Sequence, residues 1–443
     1  MKFFKSLYLT GRFFVLLIAV CICFVLAYAM PAFFAVSKAF AGVVVLLSVI
    51  DCLMLFSPKN PLFARREMTD RLSNGDDNEI ILFLESTYSF KIRTEIIDEI
   101  PFQFQKRDVL FKTVLNENET RKLHYFLRPV KRGVYEFGAI NVYAISMIGL
   151  AKRRFRFEQG KKVAVYPSFL QMRKYDLIAV SNRFYEYGLK KIRKIGHSTE
   201  FEAIRTYFTG DDPRAINWKA TARRSYLMVN NYQDEISQPV YCIIDKGRVM
   251  KMPFENMSLL DYSINASLAL SNAILRKSDK AGLITFSKKV STWLPAERKI
   301  SHLENILRLL YREETNFKES DFENLFVNIR QKIKQRSLLI LFTNFESPVG
   351  MRRQLPYLRS LALSHLVLVV FFENTELSHL LGSHPRNVEE IYTKTIAEKF
   401  SYDKKLIVKE LNAYGIYTLL TPPGKLTINV INKYLEFKAR GLI

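Results

Sequence analysis

The chain has 443 residues, 49% hydrophobic and 13% aromatic, enough apolar material for the cores of two or three domains and too much for a chain disordered throughout. A formal charge of +23, from 66 Lys+Arg against 43 Asp+Glu, calls for an acidic counterpart: an anionic membrane face, nucleic acid or an acidic protein. Cys21, Cys23, Cys52 and Cys242 form no Cys-x-x-Cys pair and the six histidines are scattered, so neither a disulfide framework nor a zinc site is indicated.

From Phe13 to Ser37 no residue is charged, and after Lys38 a second apolar run extends from Ala39 to Ser57, broken only by Asp51. Two membrane-spanning helices joined near Pro31 to Lys38 are predicted. A signal peptide is not, because no small-residue cleavage site is followed by a polar chain. Lys2, Lys5 and Arg12 precede the first span and Lys59, Arg65 and Arg66 follow the second, against Lys38 alone in the turn. The positive-inside rule therefore places both termini and the large domains in the cytoplasm, at the inner (cytoplasmic) membrane. Asp51 lies about one and a half helical turns from the cytoplasmic end of its span. An acid there is a functional candidate; the plainer expectation is that it reaches the interface or pairs with a neighbouring chain.

With residues 1–65 assigned to the anchor and its flanks, residues 66–170 read as a small β-sandwich. "NEIILFLESTYSFKIRTEIIDEIP", "KLHYFLRPVKRGVYEFGAINVYAI" and "KKVAVYP" are β-branched and aromatic, with Asn, Gly, Asp and Pro at the turns. From Ala151 to Glu200 the chain is strongly basic, thirteen Lys/Arg against four acids, which predicts a connector attracted to anionic lipid headgroups or a solvated face. The connector proper is set at 171–236.

Residues 237–443 alternate strand and helix. "PVYCIID", "AGLITF", "SLLILFT", "HLVLVVFF" and "IYTLL" are the short continuous apolar runs of strands buried on both faces. Helical patterns lie near Ser258–Arg276, Ser301–Arg312, Phe322–Gln335, Met351–Leu363, Val388–Leu411 and Leu426–Arg440. This predicts a doubly wound α/β domain whose working face lies at the carboxyl ends of its strands. A divalent-metal version of that face needs an acid, two alternating hydroxyls and further oxygen ligands from later loops. Here Asp245 is followed by Gly247 and Val249 at the hydroxyl positions, Asn344 stands where a later acid would be, and Thr315 is the one hydroxyl on offer. The metal site, Asp245 with Thr315, is thus expected to be depleted, and no cofactor is expected. No phosphate-cradling glycine loop and no Gly-x-Ser-x-Gly elbow follows a strand, so the domain is expected not to be an enzyme.

Ahead of it stands "GDDPRAINWKATARR". Asp212 suits a helix cap, Pro213 the first helical position and Asp211 the positive end of the dipole, with Lys219, Arg223 and Arg224 in the later turns. Glu200, Glu202 and Arg205 sit just upstream, and Trp218 lies among cations. Three arrangements are open: an ion-pair lattice locking the segment to the α/β domain, a docking face for a partner, or an acid pair, Asp211 with Asp212, lacking a nearby nucleophile or histidine.

The stretch "STEFEAIRTYFTGDDPRAINWKATARR", followed by "LMVNNYQDE" and a strand ending in Asp245, resembles the signature of the family called domain of unknown function 58. Glu200, Phe201, Arg205, Tyr207, Gly210, Asp211, Arg214, Trp218, Lys219, Ala222 and Arg223 match it. The resemblance extends over two N-terminal spans, a β domain with "RPVKRGVYEFG", a "VYP" strand and the α/β domain. It implies a von Willebrand factor A-like fold, and a MoxR-type AAA+ ATPase as partner, since such genes typically neighbour those of the family. Two features depart from it: Ser146-Met147-Ile148-Gly149-Leu150 stands where the family often has Asp-Pro-Phe-Gly-Leu, and the metal positions are depleted.

The expected function is a non-enzymatic membrane-anchored adaptor working with a MoxR-like AAA+ ATPase in assembly or maturation of client complexes. The signature residues Glu200, Arg205, Asp211, Asp212, Arg214, Trp218, Lys219 and Arg223 would supply a partner-binding or structural surface, and anionic lipids a second contact. The alternatives are a membrane-tethered nucleic-acid binder, testable by its salt dependence, and a hydrolase using Asp211 and Asp212.

Overall fold

The computed structural model describes residues 6–30, 33–106, 110–170, 172, 195–233, 237–255, 257–315, 317–374 and 387–443, with the backbone alone at 29, 195–203 and 231–233. Contacts divide the chain into two compact units, Met1–Tyr166 and Pro167–Ile443, so the anchor and the β domain share a unit that the sequence divided at residue 65.

The first unit begins with a short strand, β1 (Leu7–Leu9), which the sequence did not reveal, and continues into apolar helices Gly11–Ala29 and Phe34–Phe56. Both helices are long and apolar enough to cross a membrane, and only 6% and 17% of their apolar windows are buried within the chain. A core helix of a soluble protein would be covered; these present Leu, Val, Ile and Phe outward.

The strands that follow are β2 (Leu62–Glu67), β3 (Arg71–Ser73), β4 (Asn78–Ser86), β5 (Ile92–Asp98), β6 (Leu110–Leu115), β7 (Thr120–Leu127), β8 (Gly133–Phe137), β9 (Ile140–Ile145), β10 (Ala151–Phe157) and β11 (Lys161–Tyr166). They form a five-stranded sheet ordered β1-β10-β9-β5-β6 and two three-stranded sheets, β2-β4-β7 and β3-β11-β8. Alternation drives the packing: along β4, Ile80, Leu82 and Leu84 point into a shared core with Ile92, Ile96, Val142 and Val163, while Glu79 and Glu85 face out.

Two expectations are corrected here. "AKRRFRF", read as the start of a basic connector, is strand β10, paired with β9 and β1, and its cations are structurally engaged. Lys152 pairs with Glu95 at 2.6 Å, Arg153 donates to the carbonyls of Leu55 (2.7 Å) and Pro58 (3.1 Å), and Arg154 forks onto Asn141. Arg66, counted among the juxtamembrane charges, is instead buried against Asp98, donating also to the carbonyls of Gln159 and Gly138. The remaining basic run, 173–194, lies outside the described residues.

In the second unit β12 (Ile195–Thr206) and β13 (Met228–Gln233) form an antiparallel pair, with helix Trp218–Arg224 in the excursion between them. Then come β14 (Pro239–Asp245), a small hairpin of β15 (Pro253–Phe254) and β16 (Met257–Ser258), β17 (Lys280–Phe286), β18 (Val290–Glu297), β19 (Leu338–Phe342), β20 (Leu366–Phe372) and β21 (Tyr417–Thr421). Six of these make one sheet in the order β18-β17-β14-β19-β20-β21, parallel except at the β18 edge. All five strands read from apolar runs are present; β18, whose "VSTWLPAE" alternates weakly, is the addition.

Helices cover both faces. Val240, Cys242 and Ile244 of β14 enter a core with helices Leu259–Arg276, His302–Arg312 and Leu426–Ala439. Tyr241 and Ile243 enter the opposite core with helices Phe322–Lys332, Pro348–Ser364 and Val388–Ala413. A strand buried at every residue is the expected outcome of that arrangement.

Candidate functional site

In this sheet the chain leaves β14 toward β17 on one side and returns to β19 on the other, so the topological switch point lies at the carboxyl ends of β14 and β19. Asp245 stands there, 1% exposed. Its carboxylate accepts hydrogen bonds from Ser320 Oγ, from the Gly247 amide at 2.7 Å and from Thr343 Oγ1 at 2.7 Å. Burial pushes this carboxyl above its usual range, opposed by those three donors.

Thr315, the expected hydroxyl partner, is elsewhere: its Oγ1 donates to the Lys246 carbonyl at 2.9 Å. Lys246 itself forms a buried pair with Glu313 at 2.6 Å, and Glu313 accepts from Thr285 and Thr292. Ser320 and Thr343 therefore supply the hydroxyls, and neither was singled out in the sequence. A Cβ on Gly247 would collide with Ser320 Oγ and come within 3.0 Å of Asp245 Oδ1, so the serine from a distant loop fills the space that a side chain at 247 would use.

A second missed residue is Lys404, from helix Val388–Ala413. Its ammonium donates to Asn344 Oδ1 at 2.7 Å and to the Phe345 carbonyl at 2.6 Å, and burial lowers its pKa to about 8. A cation thus already sits where a divalent ion would need its second acid. Among the described residues no group of three or more His, Cys, Asp or Glu could hold a metal ion, and this donor set suits an ammonium better than a divalent cation.

Two cavities open beside these groups. One, of about 190 Å³, is lined by Asp245, Arg248, Ser320, Asn344, Glu346 and Arg353 among others; the second, of about 370 Å³, is mainly apolar, with Lys404, Glu346 and Glu373 at its polar edge. Helix Pro348–Ser364 begins at the first of them, its amide end capped by Ser347.

The signature segment is built differently from the single capped helix expected. Asp212 accepts from the Arg214 amide at 2.9 Å and caps only a short turn, Pro213–Ala215. Ile216 then bridges to Val229, and Asn217 caps a separate helix, Trp218–Arg224, by accepting from the Ala220 amide at 3.0 Å. The break arises because Asn217 also bonds Asn230 across the hairpin at 2.8 Å, holding the chain extended there.

Asp211 is not a helix-dipole acid. It receives both guanidinium arms of Arg205, at 2.6 and 2.7 Å, and the Phe208 amide at 2.9 Å. The Arg205 hydrogen bond, then the Phe208 amide, holds its carboxyl below the usual range. The expected ion-pair lattice to the α/β domain thus reduces, among the described residues, to a local clasp; the Glu200 side chain lies outside them. Trp218, 69% exposed, and Phe208, 67% exposed, face outward, and Arg214, Lys219, Arg223 and Arg224 of the same segment are exposed as well.

Residues 203–380, which hold all of the signature except its first residues and most of the switch-point groups, match the profile of the family described as "Protein of unknown function DUF58". That match covers well under half of the chain. The "Uncharacterized protein YeaD" of Bacillus subtilis (strain 168) is 29% identical over 190 residues, 42% of this chain and 44% of that protein, so the match spans under half of that relative's length.

Among solved structures, BatB from Bacteroides thetaiotaomicron is 14% identical with a TM-score of 0.26, over 40% of this chain and 98% of that one. An aerotolerance-related membrane protein from Bacteroides fragilis NCTC 9343 is 15% identical with a TM-score of 0.24, over 39% and 99%. Likenesses at these scores carry no argument about this chain.

Proposed function

We propose that the protein is a non-enzymatic, membrane-anchored adaptor whose DUF58 region docks a MoxR-like AAA+ ATPase and presents client complexes to it from the cytoplasmic face of the inner membrane. The observation that carries this reading is the outward Trp218 with Arg214, Lys219, Arg223 and Arg224. An exposed aromatic with exposed cations in the same short segment fits an interface with an acidic protein. Asp211, from the same segment, is held by both arms of Arg205. The choice of ATPase follows the family resemblance, and the von Willebrand factor A-like reading is supported by the sheet order with one antiparallel edge strand.

The topology has a support independent of charge counting. Strand β1 lies before both spans and pairs with β10, which lies after them. Residues on either side of the anchor must then be on one side of the bilayer, which two crossings satisfy and one does not. An acid pair for hydrolysis is disfavoured, because a general acid needs a raised pKa whereas Asp211 is lowered.

The test is recovery from membranes with the full-length chain, with and without ATP. The parent is expected to retain an AAA+ ATPase, and Trp218→Ala with Arg223→Glu to lose most of it while the protein stays folded. Recovery of no AAA+ protein in either nucleotide state would sink the adaptor reading. Salt-sensitive retention of DNA or RNA lost in the same variant would favour the nucleic-acid reading instead.

A further inference from the structure

The five-stranded sheet of the first unit carries a pocket of about 480 Å³ at the point where the first span begins, bordered by Arg12, Arg93, Lys112, Lys152, Glu95 and Gly149 among others. Lys152 and Glu95 neutralise one another. Arg12, Arg93 and Lys112 have no acidic partner among the described residues. Arg93 Nη2 and Arg12 Nη1 converge on Gly149, 3.0 and 3.2 Å from the point where a Cβ would stand. Gly149 has a φ of +73° and leaves that space open.

Two guanidiniums brought together from positions 12 and 93, with a nearby ammonium and with the pocket's carboxylate, Glu95, already paired to Lys152, repel one another and favour entry of an anion. Arginine forks match tetrahedral phosphate oxygens. Gly11 and Arg12, the first residues of helix Gly11–Ala29, line the same pocket, with the Thr10 hydroxyl turned away to the Gly149 carbonyl, so the positive end of the helix lies beside it. Since Gly11 and Arg12 open the span, the pocket lies at headgroup depth.

We propose that this pocket binds the phosphodiester of an anionic glycerophospholipid headgroup, with Arg12 and Arg93 gripping its oxygens and Lys112 contributing charge. The proposal rests on the membrane-spanning reading of the two helices.

The test uses the full chain in nanodiscs of phosphatidylcholine containing a minor fraction of phosphatidylglycerol, with retained lipid counted by native mass spectrometry. The parent is expected to hold phosphatidylglycerol over phosphatidylcholine by about tenfold. Arg12→Gln with Arg93→Gln should abolish the preference, and Arg12→Gln alone, an exposed position that leaves the sheet intact, should lower it severalfold. Lys91→Gln with Lys122→Gln removes equal charge from exposed positions of the same unit and should leave it unchanged.

An undiminished preference in the double variant, or equal loss in the Lys91/Lys122 control, overturns the pocket. Displacement of the lipid by inorganic phosphate at matching concentration overturns the lipid source in favour of a soluble phosphate. Extraction of the parent from bilayers by alkaline carbonate sinks the spanning reading itself, a result distinct from loss of lipid preference in a reconstituted chain.

Discussion

Asp51 shows how a single side chain can change its meaning between sequence and structure. The sequence placed it in a span, at the interface or against another chain; the fold instead buries it under the β domain, where it accepts from Ser146 Oγ and from the Leu150 and Ala151 amides at 2.7 Å each. It is a fastener, and nothing local in the sequence could reveal that, because its donors lie about a hundred positions downstream. Asp51→Ala should strand two amides and lower stability by about 1–3 kcal/mol, seen as a lower unfolding temperature in nanodiscs and faster proteolysis of the turn at Met147. Lys404 makes a prediction of opposite electrostatic kind. Its folded pKa of about 8 lies below that of an unfolded lysine, so between those values the unfolded chain holds the extra proton and stability gains as pH rises. The parent should therefore gain stability relative to Lys404→Met from pH 8 upward, and a pH-independent difference between them would contradict the assignment.

At the scale of elements, the α/β domain was legible because each buried strand is an unbroken apolar run and each helix carries a 3.6-residue stripe. Helix Leu259–Arg276 begins where Ser258 caps it, bonding the Asp261 amide. The site was less legible, since Ser320, Thr343 and Lys404 reach Asp245 and Asn344 from three separate elements. The signature was legible as a surface but misread as one helix, because the Asn217–Asn230 bond that interrupts it is a tertiary contact. Gly247→Ala should destabilise the switch point and Ser320→Gly should partly restore it, a coupling that thermal unfolding of the two single variants and the double would measure. Unchanged stability in Gly247→Ala would show that the loop from Lys318 to Ser320 yields freely. The last helix has its own tether: Asp279, 1% exposed, accepts from Tyr434 and Lys438 at 2.5 and 2.7 Å and from the Gln238 amide. Asp279→Ala should raise hydrogen exchange across Leu426–Ala439 more than across β14.

For the molecule as a whole, the sequence conveyed the two spans, the sandwich-like strands and the doubly wound domain, because hydrophobic periodicity reports burial. It did not convey which charges are interior. Arg66 and Asp98, with side chains 2% and 0% exposed, sit in the β domain that caps the anchor. Arg66→Ala leaves Asp98 and Tyr125 without their cation and should cost about 3–5 kcal/mol, whereas removing the exposed Arg65 should cost under about 1 kcal/mol. Equal unfolding temperatures for the two variants would refute this difference.

The pairing of Leu7–Leu9 with β10 also sets an order of events during synthesis. Leu9 leaves the ribosome 142 residues before its partner Ala151, so the sheet stays one strand short while both apolar helices are already entering the bilayer. If both helices span the bilayer, a chain that threads only one of them leaves Leu7–Leu9 and β10 on opposite sides and cannot complete that sheet. The edge strand thus checks that the hairpin is complete, whatever its direction: a half-threaded chain keeps an unfilled edge along β10.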